Sequence, residues 1–212
     1  MLQIKEFTFS PMAENTYVLY NDKGSACIID PGCYFPEEFS ELENFITAKE
    51  LKVSLILLTH AHLDHIFGLK QVTEEYKITP MMHPKEQVVL DRGPDMGAMY
   101  GLPFPAYKGG VNYINEGDKI YLDEDALDVI YAPGHSPGHV CFYKNDQNFI
   151  IGGDVLFRQS IGRTDLPGGN HQLLIQSVKN QLFALPDNTV VHPGHGPTTT
   201  IGYEKVNNPF IN

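Results

Sequence analysis

Tryptophan is absent from this 212-residue chain, and cysteine is nearly so. The three cysteines, Cys27, Cys33 and Cys141, form neither an even disulfide framework nor a zinc-finger spacing. Basic residues are few: 15 Lys and Arg stand against 26 Asp and Glu, a formal net charge of -11. No basic stripe is present to neutralise phosphates, so nucleic acid is not an expected partner. The same balance argues against an anionic membrane surface. It does not exclude an anionic substrate, because bound divalent cations reverse the local field. No run approaches the ~20 apolar residues that a membrane helix needs. The opening residues Met1 to Phe9 have neither the basic region nor the apolar core of a signal peptide. With so little cysteine, a reduced cytoplasm is the expected compartment. Linkers and low-complexity segments are also missing.

What remains is the composition of a folded protein, 42% hydrophobic and 19% charged, long enough for a sizeable core in one domain over residues 1–212. Strands are expected at 2–9, 15–20 and 26–30, then a helix from Pro36 to Lys49 with Phe39, Leu42, Phe45 and Ile46 on one face. A second helix is expected over 66–77, a short strand from Pro80 to His83, and a helix from Pro84 to about Arg92. Gly93 to Asn112 reads as a long aromatic-bearing loop. Strands at 118–122, 127–132, 139–144 and 148–152 follow, then a helix carrying Leu174, Val178, Leu182 and Leu185, and a last strand from Thr189 to His192.

One stretch is dense in chemistry. Leu55 to Leu58 is an unbroken apolar run, the pattern of a strand buried on both faces. Directly behind it come His60, His62, Asp64 and His65. Side chains alternate along an extended segment, so His60, His62 and Asp64 should leave one side of the backbone, while His65 opens a helix. A lone histidine at a strand end is ordinarily a surface or packed residue. Three imidazoles and a carboxylate are not buried unpaired, and this spacing reads as a metal site with donors for two ions.

Three later turns also place a donor behind a strand. They are Ala-Pro-Gly-His-Ser-Pro-Gly-His (132–139), Gly-Gly-Asp (152–154) and Pro-Gly-His-Gly-Pro (193–197). Glycines beside each donor let the backbone approach something bulky. Each turn is weak alone, but together they supply the ligands that a metal pair still lacks.

Thr-His-Ala-His-Leu-Asp-His (59–65) resembles the H-x-H-x-D-H motif of the metallo-β-lactamase-fold hydrolases. The resemblance implies an α+β fold, a four-layer αββα sandwich. It implies His60, His62 and His135 as ligands of one metal, Asp64, His65 and His195 as ligands of a second, and Asp154 as the bridge. An aspartate at 154, with no cysteine there, resembles the two-metal hydrolase branch. Such sites hold two divalent ions, zinc first and iron or manganese also compatible. A pair about 3.5–4 Å apart makes hydroxide available near neutral pH, with Asp64 as the catalytic residue orienting it.

Ser160 to Gly169 (Ser-Ile-Gly-Arg-Thr-Asp-Leu-Pro-Gly-Gly) resembles a segment of glyoxalase II-like proteins, the hydroxyacylglutathione hydrolases, and of their persulfide dioxygenase relatives. The resemblance implies hydrolysis of a small anionic thioester of the acylglutathione type. Arg163 and Asp165 read as an ion pair that orders the loop after Asp154. Full-length glyoxalase II proteins carry an added helical domain that grips glutathione, and residues 198–212 are too few to build it. Arg158, Lys108 and Lys144 each offer a cation for a substrate carboxylate, and the sequence singles out none. The alternatives are a mononuclear iron persulfide dioxygenase and a non-catalytic metal-binding module. His83, His139, His171 and His192 match no ligand position and read as surface, capping or supporting residues. Cys27 and Cys33 read as packing residues, and Ser136 as a turn serine without a base to activate it. Oligomeric state is not legible.

Overall fold

Alternation along strand β2 (Glu14–Tyr20) sends Val18 into one apolar interior and Tyr17 and Leu19 into another, and all three are buried. A strand covered on both faces needs a layer on each side. The computed structural model, which describes residues 1–211, supplies both layers. The first sheet joins β1 (Gln3–Phe9), β2, β3 (Ser25–Ile29), β4 (Lys52–Leu57), β5 (Met81–Met82) and β6 (Asn112–Tyr113) in chain order. Its first three strands are antiparallel, and the pairs from β3 onward are parallel.

The second sheet contains β7 (Lys119–Leu122), β8 (Asp125–Tyr131), β9 (Val140–Lys144) and β10 (Phe149–Gly153) as an antiparallel meander. A hairpin of β11 (Leu156–Phe157) and β12 (Ser160–Ile161) stands apart from it. The second sheet is completed by β13 (Val190–Pro193), parallel to β10, and β14 (Thr199–Thr200).

Three apolar clusters define the layers. Helices α1 (Pro36–Ala48), α3 (Leu69–Tyr76) and α4 (Gln87–Met99) pack on the first sheet through Leu42, Leu69 and Leu90. Tyr17, Leu57, Phe142 and Ile151 fill the space between the sheets. Helix α5 (His171–Ser177), the π turn Val178–Leu182 and helix α6 (Ile201–Asn207) cover the second sheet through Leu174, Leu182 and Ile201. This is the α+β, four-layer αββα sandwich expected from the sequence. No helix among the described residues is long and apolar enough to cross a membrane.

Two expected helices differ in their bounds, and β6, β11, β12, β14 and α6 are additional to the sequence expectation. The helix expected over 66–77 is two: α2 (Leu63–Ile66) and α3. Gly68 N–H donates to the Pro31 carbonyl at 2.9 Å instead of continuing the first helix, and a Cβ there would collide with Cys33 Sγ. The helix expected to end near Arg92 continues to Met99 through Pro94, shortening the loop. Gly93 and Gly97 are buried at the contact with Ile66 and Phe104, and that packing outweighs the proline. In β4 the polar Lys52 and Ser54 stay exposed, while Ile56, Leu57 and the following Leu58 are buried in the cores on both faces, as the apolar run predicts.

His192, on β13, is half-buried between Tyr17 and Phe149, with ring centroids 5.8 and 6.0 Å away. Burial lowers its pKa to about 4. The unfolded chain therefore binds the extra proton first, and stability present above pH ~6.5 is lost as pH falls through about 4. His192→Phe should flatten the fall in unfolding free energy across that window by about 2 kcal/mol. Urea titrations at pH 7 and pH 4.5 measure it, and equal slopes in both proteins would refute it.

Candidate metal centre

The donors collect where the two sheets end. His60 and His62 follow β4, and the chain then turns into α2, whose first turn carries Asp64 and His65. The expected strand-like alternation holds only as far as His62; Asp64 reaches the same cavity from a helix. His135 comes from the turn between β8 and β9, Asp154 from the end of β10, and His195 from just past β13.

Four of the five histidines are oriented by an oxygen on the far side of the ring. His65 Nδ1 donates to buried Asp30 Oδ2 at 3.1 Å. His135 Nδ1 donates to the Arg163 carbonyl at 2.7 Å, and His195 Nδ1 to the Ala13 carbonyl at 3.1 Å. Thr59 Oγ1 gives its proton to Asp30 Oδ2 at 2.6 Å and so accepts from His60 Nδ1 at 3.0 Å. Each bond fixes a tautomer with Nε2 bare and facing inward.

Those bare nitrogens meet. His135 Nε2 lies 3.2 Å from His60 Nε2 and 2.8 Å from His62 Nδ1. Burial lowers the pKa of all three, that of His62 to about 3. Neutral lone pairs pointed at one another at this distance repel unless a cation lies between them.

The second group is Asp64, His65 and His195, whose donor atoms lie within 4.8 Å of one another. His195 Nε2 stands 3.0 Å from Asp64 Oδ2. Asp154 lies between the two groups: Oδ2 is 3.5 Å from His135 Nε2 and 3.6 Å from His195 Nε2, and Oδ1 is 3.5 Å from His65 Nε2. Burial pushes the Asp154 carboxyl up, but His65, His135 and His195 outweigh it and hold it well below the carboxylate range. Burial lowers His65, yet Asp64 and Asp154 raise it overall, and His195 is raised by its bond to Asp64 despite burial. A cation arriving here competes with those protons.

The site fits a metal pair on its own terms. His65 Nε2 and Asp154 Oδ1 are buried with no hydrogen-bond partner. Gly194 passes so close that a Cβ would strike Asp154 Oδ1 and stand 2.7 Å from His65 Cε1. The histidines and aspartates are thus positioned for metal binding. Asp30 also lies within reach of His60 and His65. Its oxygens are occupied by Thr59 N–H at 2.7 Å, the Thr59 hydroxyl and His65 Nδ1, so it orients ligands and is not one.

Apart from His139, read from the sequence as a surface, capping or supporting residue, the residues that hold the donors in place were not singled out by the sequence. His139 Nε2 accepts the Asp154 backbone N–H at 3.0 Å, a supporting role. Glu14 is fully buried with Oε1 3.7 Å from His65 Nδ1, and burial raises its pKa. Glu86, fully buried at the start of α4, accepts from Ala61 N–H at 2.8 Å and from Ser136 Oγ and Gly138 N–H at 2.6 Å. It ties the His60–His62 loop to the His135 loop. Ser136 is a turn residue with its hydroxyl committed.

Arg163 and Asp165 form the expected ion pair, bidentate at 2.7 and 2.7 Å, but on the surface instead of buried. The Arg163 carbonyl orients His135, and the residue also lines the metal cavity. None of the three suggested substrate cations faces the cavity. Lys144 is paired with Asp125 at 3.1 Å and Asp146 at 2.7 Å, Arg158 lies over the Tyr203 ring, and Lys108 borders a separate surface groove. The donors open into a cavity of about 300 Å³ edged by Met12, Leu63, Tyr100, Phe157, Ile161 and Leu166.

Residues 10–195 match the family model described as the metallo-beta-lactamase superfamily. The chain is 33% identical to hydroxyacylglutathione hydrolase GloC of Haemophilus influenzae, over 100% of this chain and 99% of that protein. Among solved structures, the BLEG-1 B3 metallo-beta-lactamase superposes with a TM-score of 0.91 at 38% identity, covering 99% of this chain and 100% of the other. TTHA1623 in a di-iron-bound form gives 0.88 at 37% identity, with 97% and 99% covered.

Proposed function

Because the chain belongs to the metallo-beta-lactamase superfamily, we propose that it is a metal-dependent hydrolase of acylglutathione-type thioesters. His60, His62 and His135 would hold one divalent cation, Asp64, His65 and His195 a second, and Asp154 would be shared between them. The observation that carries this reading is the position of the Asp154 carboxylate, about equally far from His135 and His195 at 3.5 and 3.6 Å. When bound, the cations supply Lewis-acid polarisation of a carbonyl and hydroxide at neutral pH.

The chain's own residues do the rest. Asp30, Thr59, Ala13 and the Arg163 carbonyl keep the imidazoles aimed inward, so the site is organised before substrate arrives. Asp64, whose Oδ2 faces His195 Nε2, would orient the attacking oxygen. Leu63, Phe157 and Leu166 edge the cavity with apolar surface that excludes bulk water.

The thioester substrate is supported by the Ser160–Gly169 segment and by the Haemophilus influenzae relative, a hydroxyacylglutathione hydrolase. Zinc is the metal we favour; the di-iron form of TTHA1623 keeps iron a candidate for this chain. We place the protein in the cytoplasm, as one domain acting on a small molecule and without nucleic acid or membrane partners, on its acidic charge and its three buried free thiols.

Elemental analysis of the purified protein with an S-lactoylglutathione assay tests the reading. Two metals per chain and release of lactate are expected. One iron per chain with oxygen uptake on glutathione persulfide would make it a dioxygenase. Metal without any turnover would leave a binding module.

A further inference from the structure

A second cavity opens from the first. His62, Leu63 and Leu166 line both the metal cavity and an adjoining apolar pocket of about 190 Å³. One wall of this pocket is the face of α4 that carries Val88, Val89 and Met96, and the other includes Leu166. Arg92 lines the pocket as well; it is exposed and takes part in none of the ion pairs among the described residues. The pocket is therefore apolar beside His62 and offers one uncommitted guanidinium.

We propose that this pocket binds the acyl arm of the substrate, an unbranched apolar chain of up to about six carbons, and that Arg92 receives a carboxylate at its far end. The proposal deepens the thioester reading and rests on it for the placing of the carbonyl. Chemistry decides which arm enters. A peptide thiol is polar throughout and would leave its amides unpaired against Val88, Val89 and Met96. A methylene chain loses nothing there and gains burial. Size agrees, since an apolar cavity of roughly 150 Å³ admits a benzene-sized molecule. A carbonyl held beside His62 leaves the thiol arm to the wider metal cavity, edged by Tyr100 and Ser160. Arg is suited to the terminus, because its planar fork binds a carboxylate with two parallel hydrogen bonds.

The test measures binding of thioether analogues, which cannot be hydrolysed, to the purified metal-loaded protein by calorimetry, alongside turnover of the corresponding thioesters. S-hexylglutathione should bind at least about tenfold more tightly than S-methylglutathione. Val88→Trp fills the pocket from an exposed position, at low risk to the fold, and should abolish that preference. Arg92→Ala should weaken S-(5-carboxypentyl)glutathione about tenfold and S-hexylglutathione much less. No preference in the wild type, or one that Val88→Trp leaves intact, overturns the proposal. Hydrolysis of S-lactoylglutathione without a chain-length preference would keep the hydrolase and remove the pocket. A preference without thioester turnover would keep the pocket and remove the thioester reading.

Discussion

Asp154→Ala is expected to lower kcat/KM for a thioester substrate on the order of a thousandfold, while circular dichroism shows a native fold. The size follows from position. Asp154 is the carboxylate within 3.6 Å of donor nitrogens in both groups, so its loss removes a shared negative charge and not one ligand of one ion. Stabilisation by a bound cation is worth several kcal/mol, and each 1.36 kcal/mol is a factor of ten in rate. Metal content should fall below that of the wild type, because the variant loses the one carboxylate that faces donor nitrogens of both groups. The fold should survive, since the Asp154 backbone N–H still reaches His139 and β10 remains paired on both sides. Asp154→Asn separates charge from shape: it keeps the volume and should be nearly as inactive. Wild-type rates in a metal-replete Asp154→Ala protein would refute the shared role.

The donors were legible because each sits where an apolar run stops. Leu57–Leu58 before His60, Ile150–Ile151 before Asp154 and Val190–Val191 before His195 announce strands whose ends share one rim of the sandwich. Glycine and proline beside them mark backbone that turns sharply at the rim. The break at Gly68 and the extension of α4 past Pro94 were not legible, because each is decided by a partner distant in sequence: Pro31 and Cys33 for one, Phe104 for the other. Two-residue strands such as β6 and β14 are too short to show a period. The supporting carboxylates were hidden for a related reason. Asp30 reads as part of a turn in Asp-Pro-Gly, and Glu86 as one more charge at a helix start. Their importance lies in N–H and O–H groups that folding brings from 25 to 52 positions away. Nothing local to a glutamate says that its two oxygens will have three donors.

Glu86 is where that hidden layer can be measured. Glu86→Ala leaves Ala61 N–H, Gly138 N–H and the Ser136 hydroxyl buried without an acceptor. At about 1–3 kcal/mol for each unsatisfied group, a loss of roughly 3 kcal/mol or more is expected. At 2–4 °C per kcal/mol for a chain of this size, the Tm should fall by roughly 10 °C. A protein so weakened says little about catalysis, so the informative variant is Glu86→Gln. Its amide oxygen can accept from Ser136 and Gly138 as Oε1 does now, but its NH₂ then faces the Ala61 N–H, donor against donor. The strain falls on the segment between His60 and His62. Metal affinity should therefore drop about 10–100-fold, the usual effect of disturbing a group that orients a ligand, with a smaller change in Tm than in Glu86→Ala. Ser136→Ala is the control. It removes one donor and leaves the two backbone N–H bonds, so activity should stay within a few-fold of wild type, which also tests that the serine is no nucleophile. Native metal affinity in Glu86→Gln would mean that the carboxylate only fills space, and that the two ligand loops are held in register by their backbones alone.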